Sequence, residues 1–176
     1  RVLKGITNFV SLCKTLSLTP PRFLSQKDLT SPLQFLSARK YIYLLRPYRN
    51  KNENFLKMWD GQEGSIYRTD NIDIIGLGYP GSTASKYIEK INDEMNELIN
   101  NKVIGDRPIV CMLHTGINKF VTEAMGGLRE NEIDPLLDKI HYLALGHIHN
   151  RYENPDKKYY NPGSIECVRI TDNPFN

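Results

Sequence analysis

Two apolar runs of this chain end in histidine. Val110–Leu113 leads directly to His114, and Leu143–Gly146 leads to His147 and, two residues on, His149. The chain holds four histidines in all, so three of them stand where buried strands would finish. Residues at strand ends of an α/β sheet project into the crevice where such folds carry their sites, and neutral imidazole is the commonest protein ligand for metals. In an extended segment, positions i and i+2 point to the same side, which lets His147 and His149 address one centre or two adjacent ones. Gly146 ahead of them permits close backbone approach. A lone histidine in such a place reads as a core residue donating to a backbone carbonyl. Three of them, closing two strands, point instead to a metal-binding group of His114, His147 and His149. His141 opens a strand rather than closing one and reads as structural.

The elements that must position these residues follow from periodicity. Residues 83–101 carry Tyr87, Ile88, Ile91, Met95, Leu98 and Ile99 on one helical face, with Glu and Lys on the other. "RPIVCML" (107–113) and "HYLALG" (141–146) are continuous apolar runs of strand length, as expected of interior strands covered on both faces. "NIDIIGLGYPGS" reads as a strand through Ile72, Ile74 and Ile75, punctuated by Gly76, Gly78 and Gly81. "GSIYRT" is β-rich, "NEIDPLLDKI" is a short helix, and "SIECVRI" is a final strand. Earlier, residues 1–16 have amphipathic helical spacing, and Pro20–Pro21 break that pattern. Ser31 and Pro32 open a short helix in "SPLQFLSARK", and "YIYLL" has the composition of a buried strand. Strands alternating with helices predict an α/β or layered mixed architecture.

Composition narrows the function classes. A chain of 176 residues, 40% hydrophobic and 24% charged, suits one ordinary soluble domain. The net charge of +3, from 23 basic and 20 acidic residues, is too mild to argue a polyanionic partner by itself. Cys13, Cys111 and Cys167 are scattered without CxxC spacing, which fits a reducing, intracellular compartment. No stretch approaches the roughly 20 apolar residues that span a bilayer, so no membrane partner is expected. "RVLKGITNFV" has no signal-peptide pattern, and it lacks an initiator Met, so the chain reads as an excerpt or a processed product. The glycines of "GLGYPGS" lack the order of a dinucleotide fingerprint and read as a strand-end turn. "RPYRNK" and "PDKKYY" read as a solvated loop and a hairpin tip.

"MLHTGI", "YLALGHIHNRYE" and "YYNPGSIE" resemble the C-terminal motifs of calcineurin-like metallophosphoesterases. More narrowly, they resemble the archaeal DNA double-strand-break repair nucleases that work with a coiled-coil ATPase; "PPRFLSQKDLTSPLQFL", "YIYLL" and "IIGLGYPGS" resemble the middle section of the same family. The resemblance covers nearly the whole chain and implies a layered α/β/β/α sandwich with two Mn²⁺ ions, hydrolysing DNA phosphodiesters. It also implies a coiled-coil ATPase partner and a homodimer. Residue by residue, it implies that His114 and His147 bind one metal and His149 the other, and that Asn161, Gly163 and Ser164 line the same cleft. For those last three, a simple turn before a strand is the plainer account.

The family also carries an early Asp-x-His, a Gly-Asp with a metal-bridging Asp, and a Gly-Asn-His-Asp/Glu with the catalytic His. None stands in this sequence, where "KTLSLTPPRF" occupies the place of the last motif, so no residue is assigned a catalytic role. Residues 1–176 therefore read as the C-terminal part of a nuclease domain, truncated or degenerate. Three activities compete: metal-dependent nuclease, non-catalytic scaffold binding the ATPase or DNA, and mononuclear hydrolase using the three histidines on one ion such as Zn²⁺, with Glu166 or Glu153 as outer carboxylates. A missing N-terminal part predicts an incomplete sandwich whose open edge falls at the strands 72–77 and 107–113, with Ile109, Val110 and Leu143 losing cover.

Overall fold

The computed structural model describes residues 32–47, 54–119 and 127–163. The helix expected at 1–16, the Ser31 cap and the final strand over 164–170 lie outside the described residues. Helix α1 is Pro32–Ala38, and β1 (Ile66–Arg68) and β2 (Asp73–Gly78) follow. A 3₁₀ turn at Gly81–Thr83 then leads into α2 (Ala84–Asn100), with β3 (Ile109–Leu113), α3 (Glu130–Leu137) and β4 (Tyr142–Leu145) behind it. A hairpin of β5 (Tyr152–Asn154) and β6 (Tyr159–Asn161) completes the set.

The described strands form one six-stranded mixed sheet in the order β1-β2-β3-β4-β6-β5. Strands β2, β3, β4 and β6 run parallel, while β1 and β5 pair antiparallel at the two rims. Parallel neighbours need crossovers. The long amphipathic segment 84–100 and the short helix 130–137 supply them, which is why the strand–helix alternation could be read from periodicity.

Strand alternation decides what each face meets. Ile75, Cys111 and Leu143 share one register row and Leu113 and Leu145 another, and Ile109 and Leu77, the latter at the β2 register shift, are buried with them. They form one apolar core with Ile88, Ile91 and Met95 of α2 and with Ile133 and Leu136 of α3, and the two helices pack on each other. Burial lifts the Cys111 thiol to about 12, so it is an inert core side chain and no nucleophile. Val110 and Ala144 point the other way and are buried as well, while Tyr142 stacks on Tyr160 with ring centres 4.6 Å apart.

The open edge expected at β2 and β3 is absent. Each has a partner on both sides, and Ile109, Val110 and Leu143 are all buried. Ile66–Arg68, three residues of strand, take the position beside β2 that the expectation left vacant. Because both sides of β2 are thus occupied, "YIYLL" is not a strand, contrary to its composition. Residues 43–47 instead pass over the sheet at Gly76, where an added Cβ would stand 2.4 Å from Leu45 Cβ. Arg46 N–H donates to Gly64 O at 3.0 Å, and Tyr43 rests on Tyr67 and Trp59 with ring centres 4.3 and 5.8 Å away.

Two carboxylates tie the connections to the sheet. Glu94, which periodicity assigned to the polar side of α2, is buried; its two oxygens accept from Phe55 N–H (2.9 Å) and Leu56 N–H (2.8 Å). Asp73, fully buried, takes a two-point contact from Arg68 at 2.8 and 2.9 Å. The same guanidinium donates to Val103 O and to Asp106, so one side chain joins β1, β2 and the α2–β3 connection.

Removing Asp73 leaves the guanidinium facing a buried gap and cuts that junction. Asp73→Ala is expected to lower stability by about 2–3 kcal/mol, read as a reduced urea midpoint at unchanged slope. A loss below about 0.5 kcal/mol would show that the junction behaves as a surface ion pair.

Candidate functional site

The parallel ladder continues one step past the strand ends. His114 N–H donates to Gly78 O at 2.9 Å, and Gly146 N–H donates to Leu113 O at 3.0 Å. These bonds close the row Gly78–Leu113–Leu145 at the C-terminal edge of the sheet and place His114 and Gly146 immediately beyond it. The three residues just beyond or at that line, Tyr79, His114 and His147, bring their rings together. His114 and His147 meet edge to face with ring centres 5.2 Å apart. Tyr79 stacks on His147 at 5.3 Å and 27°, and approaches His114 edge-on at 5.8 Å.

Each ring is set by its own local chemistry. His114 lies against the backbone of Gly146: a Cβ there would sit 2.8 Å from His114 Nδ1. Glycine is needed at 146 for that close approach, not for an unusual φ. Its neighbour His147 has φ +79°, a left-handed conformation that turns the chain sharply off β4. Histidine is among the residues that tolerate this region, yet the conformation still costs about 1–2 kcal/mol.

Two residues of the "YNPGS" turn hold the loop in place. Asn161 is 1% exposed, and its Nδ2 donates to Ile148 O and Asn150 O, both at 2.8 Å. Gly163, at φ +75°, lets the turn close on the loop; a Cβ there would stand 2.6 Å from His149 O. Asn161 and Gly163 therefore hold the histidine loop. Ser164 lies outside the described residues. Behind His114, the backbone of Ile117 donates to the Tyr152 hydroxyl at 3.4 Å, and burial pushes that phenol up.

Of the three histidines expected to converge, His114 and His147 bring their rings edge to face. His149 is half-buried two residues further along the same loop. Among the described residues, no group of three or more His, Cys, Asp or Glu side chains is arranged to hold a metal ion. Glu153, a candidate outer carboxylate, pairs with Arg151 at 3.1 Å on exposed β5, and Glu166 lies outside the described residues. His141 sits at the opposite end of β4, where its Nδ1 accepts from Ile109 N–H at 3.1 Å. Tyr79 is the site residue that sequence reasoning passed over. Its one signal was its place directly after the last strand residue, Gly78 of "GLGYPGS", as His114 stands directly after Leu113.

The donor set bears on the two Mn²⁺ ions that the family resemblance implies. Two imidazoles on one tetrahedral ion keep their ring centres roughly 5 Å apart, given metal–nitrogen bonds of about 2 Å, and the His114–His147 spacing matches. Two dications held roughly 3.5–4 Å apart need anionic ligands between them. The described ring cluster is two imidazoles and a phenol, so a two-ion centre does not fit the described residues.

Gly146→Ala is expected to push the His114 ring out of place while leaving the fold intact, visible as shifted His114 ring signals in an otherwise conserved NMR spectrum. Asn161→Ala removes two bonds to inward-facing carbonyls; a loss of about 1–3 kcal/mol on urea denaturation, with broadened His147 and His149 signals, is the expected result. Comparison with protein-family models finds no match for this chain, and comparison with curated proteins finds none either; the reading of the site rests on its motifs and its geometry.

Proposed function

We propose that this chain is the C-terminal part of a calcineurin-like metallophosphoesterase domain of the DNA-repair-nuclease type. In that reading the mixed sheet is one half of a layered α/β/β/α sandwich. DNA is the substrate class, a coiled-coil ATPase is the partner, and the domain works as a homodimer in an intracellular setting. The observation that carries the reading is the pair of histidines at the C-terminal ends of adjacent parallel strands, with ring centres 5.2 Å apart, backed by an asparagine–glycine turn that grips the second histidine's loop. His114 and His147 are the imidazole corner of the site, able to share one ion. Asn161 and Gly163 orient that corner.

The chain alone is not a competent two-ion hydrolase in this reading. It offers neither a bridging carboxylate among its described residues nor the family's Asn-His-Asp/Glu motif in its sequence. A second reading, a non-catalytic scaffold, draws on a specific feature. The His114–His147 pair lies against Tyr79 on one side and the Gly146 backbone on the other, as packed aromatic clusters do.

Metal titration separates the readings. At most one Mn²⁺ or Zn²⁺ per chain is expected, lost in both His114→Ala and His147→Ala; no binding at all supports the scaffold. On linear duplex DNA with Mn²⁺, the chain is expected to cleave at background rate. Robust cleavage abolished by His147→Ala would show that the site needs less than two bridged ions.

A further inference from the structure

We infer that Tyr79 is a positioning residue of this site, holding the His147 imidazole in the orientation that faces His114. The inference rests on the reading of that pair as the functional corner and adds a member that neither the motifs nor the family resemblance supplies. The parallel ladder reaches as far as Gly146. Beyond it, His147 leaves the strand in the left-handed region at φ +79°, and its ring stands off the sheet. Ladder bonds fix the backbone of Gly78, His114 and Gly146. Tyr79 lies flat against the His147 ring, with ring centres 5.3 Å apart at 27°, a geometry in which aromatic rings attract and orient each other.

Tyr79 is itself well anchored for that task. Gly78 immediately before it is bonded through its carbonyl to His114 N–H and takes φ +66°. Pro80 immediately after it confines the Tyr79 backbone to extended conformations. Burial does not explain the ring's placement, because Tyr79 stays 45% exposed. Its ring meets both histidines, stacked on one and edge-on to the other. A half-exposed ring that meets both imidazoles is placed to act on their geometry.

The test is a metal-free NMR comparison of wild type with Tyr79→Phe, Tyr79→Leu and Tyr79→Ala. The readouts are the ring-proton cross-peak between His114 and His147 and the ring-current shift on His147. Tyr79→Phe is expected to keep both. Tyr79→Leu and Tyr79→Ala are expected to lose the ring-current shift and to weaken the cross-peak by roughly a factor of 2–10, with the amide spectrum and urea midpoint close to wild type. A Leu variant whose cross-peak equals wild type, or a Phe variant that loses it, would overturn the inference. Because the cross-peak is read without metal, it judges the role of Tyr79 alone; the metal titration and DNA assay judge the functional reading separately.

Discussion

The in-register parallel pairing of β2, β3 and β4 is the constraint on which the site depends. Ile75 faces Cys111 and Cys111 faces Leu143, and a register shift between Gly76 and Gly78 then brings Gly78 opposite Leu113, which itself faces Leu145. The ladder then runs one bond further, through His114 to Gly78 and Gly146 to Leu113. Tyr79 comes beside His114 because that shift draws the end of β2 level with the ends of β3 and β4. A register slip of one residue would send Leu113 and Leu145 to the outer face and separate the rings.

What keeps that register is burial on one face and polar anchoring at the other end. The alternate residues of β2, β3 and β4 feed a single core with α2 and α3, so a slip would expose leucines and isoleucines together. At the N-terminal ends of the strands, the Arg68–Asp73 contact joins three elements with charge-assisted bonds. Glu94 secures the approach of residues 55–56 to the helix. These buried carboxylates are each satisfied by donors, the condition under which burying a charge is tolerable. Structural electrostatics thus sits at one end of the sheet and the candidate chemistry at the other.

The site end is built with small local compromises. His147 accepts a left-handed backbone, Gly146 gives up a side chain so that His114 can lie against it, and Gly163 does the same for the loop carrying His149. Asn161 turns a buried side chain toward two carbonyls that the loop leaves unpaired within its own backbone. Unfavourable conformations of this kind persist where the surroundings over-determine them. Here they converge on two imidazoles and a tyrosine that stays partly in water.

Much of this was written in the linear pattern. Helix 84–100, the strands at 109–113 and 142–145, the hairpin around 155–158 and the placement of His114 and His147 at strand ends all follow from periodicity and punctuation, because burial on one face imposes a repeat that sequence displays. Composition misled at "YIYLL", whose β-rich residues lie across the sheet because β1 and β3 already flank β2. The family resemblance misled over the edge of β2: with its N-terminal strands missing it implied an open edge, where the β-rich stretch around Ile66–Arg68 pairs instead. The burial of Glu94 and the stacking of Tyr79 on His147 left no local trace, since both depend on segments 38 and 68 residues away in the chain. Sequence by itself determined which residues could finish buried strands as histidines, because strand ends and side-chain chemistry are local properties. Only the tertiary structure decided that the rings of His114 and His147 meet, that a tyrosine joins them, and that Asn161 and Gly163 brace the loop, because those distances are set by register and crossover, which no single segment contains.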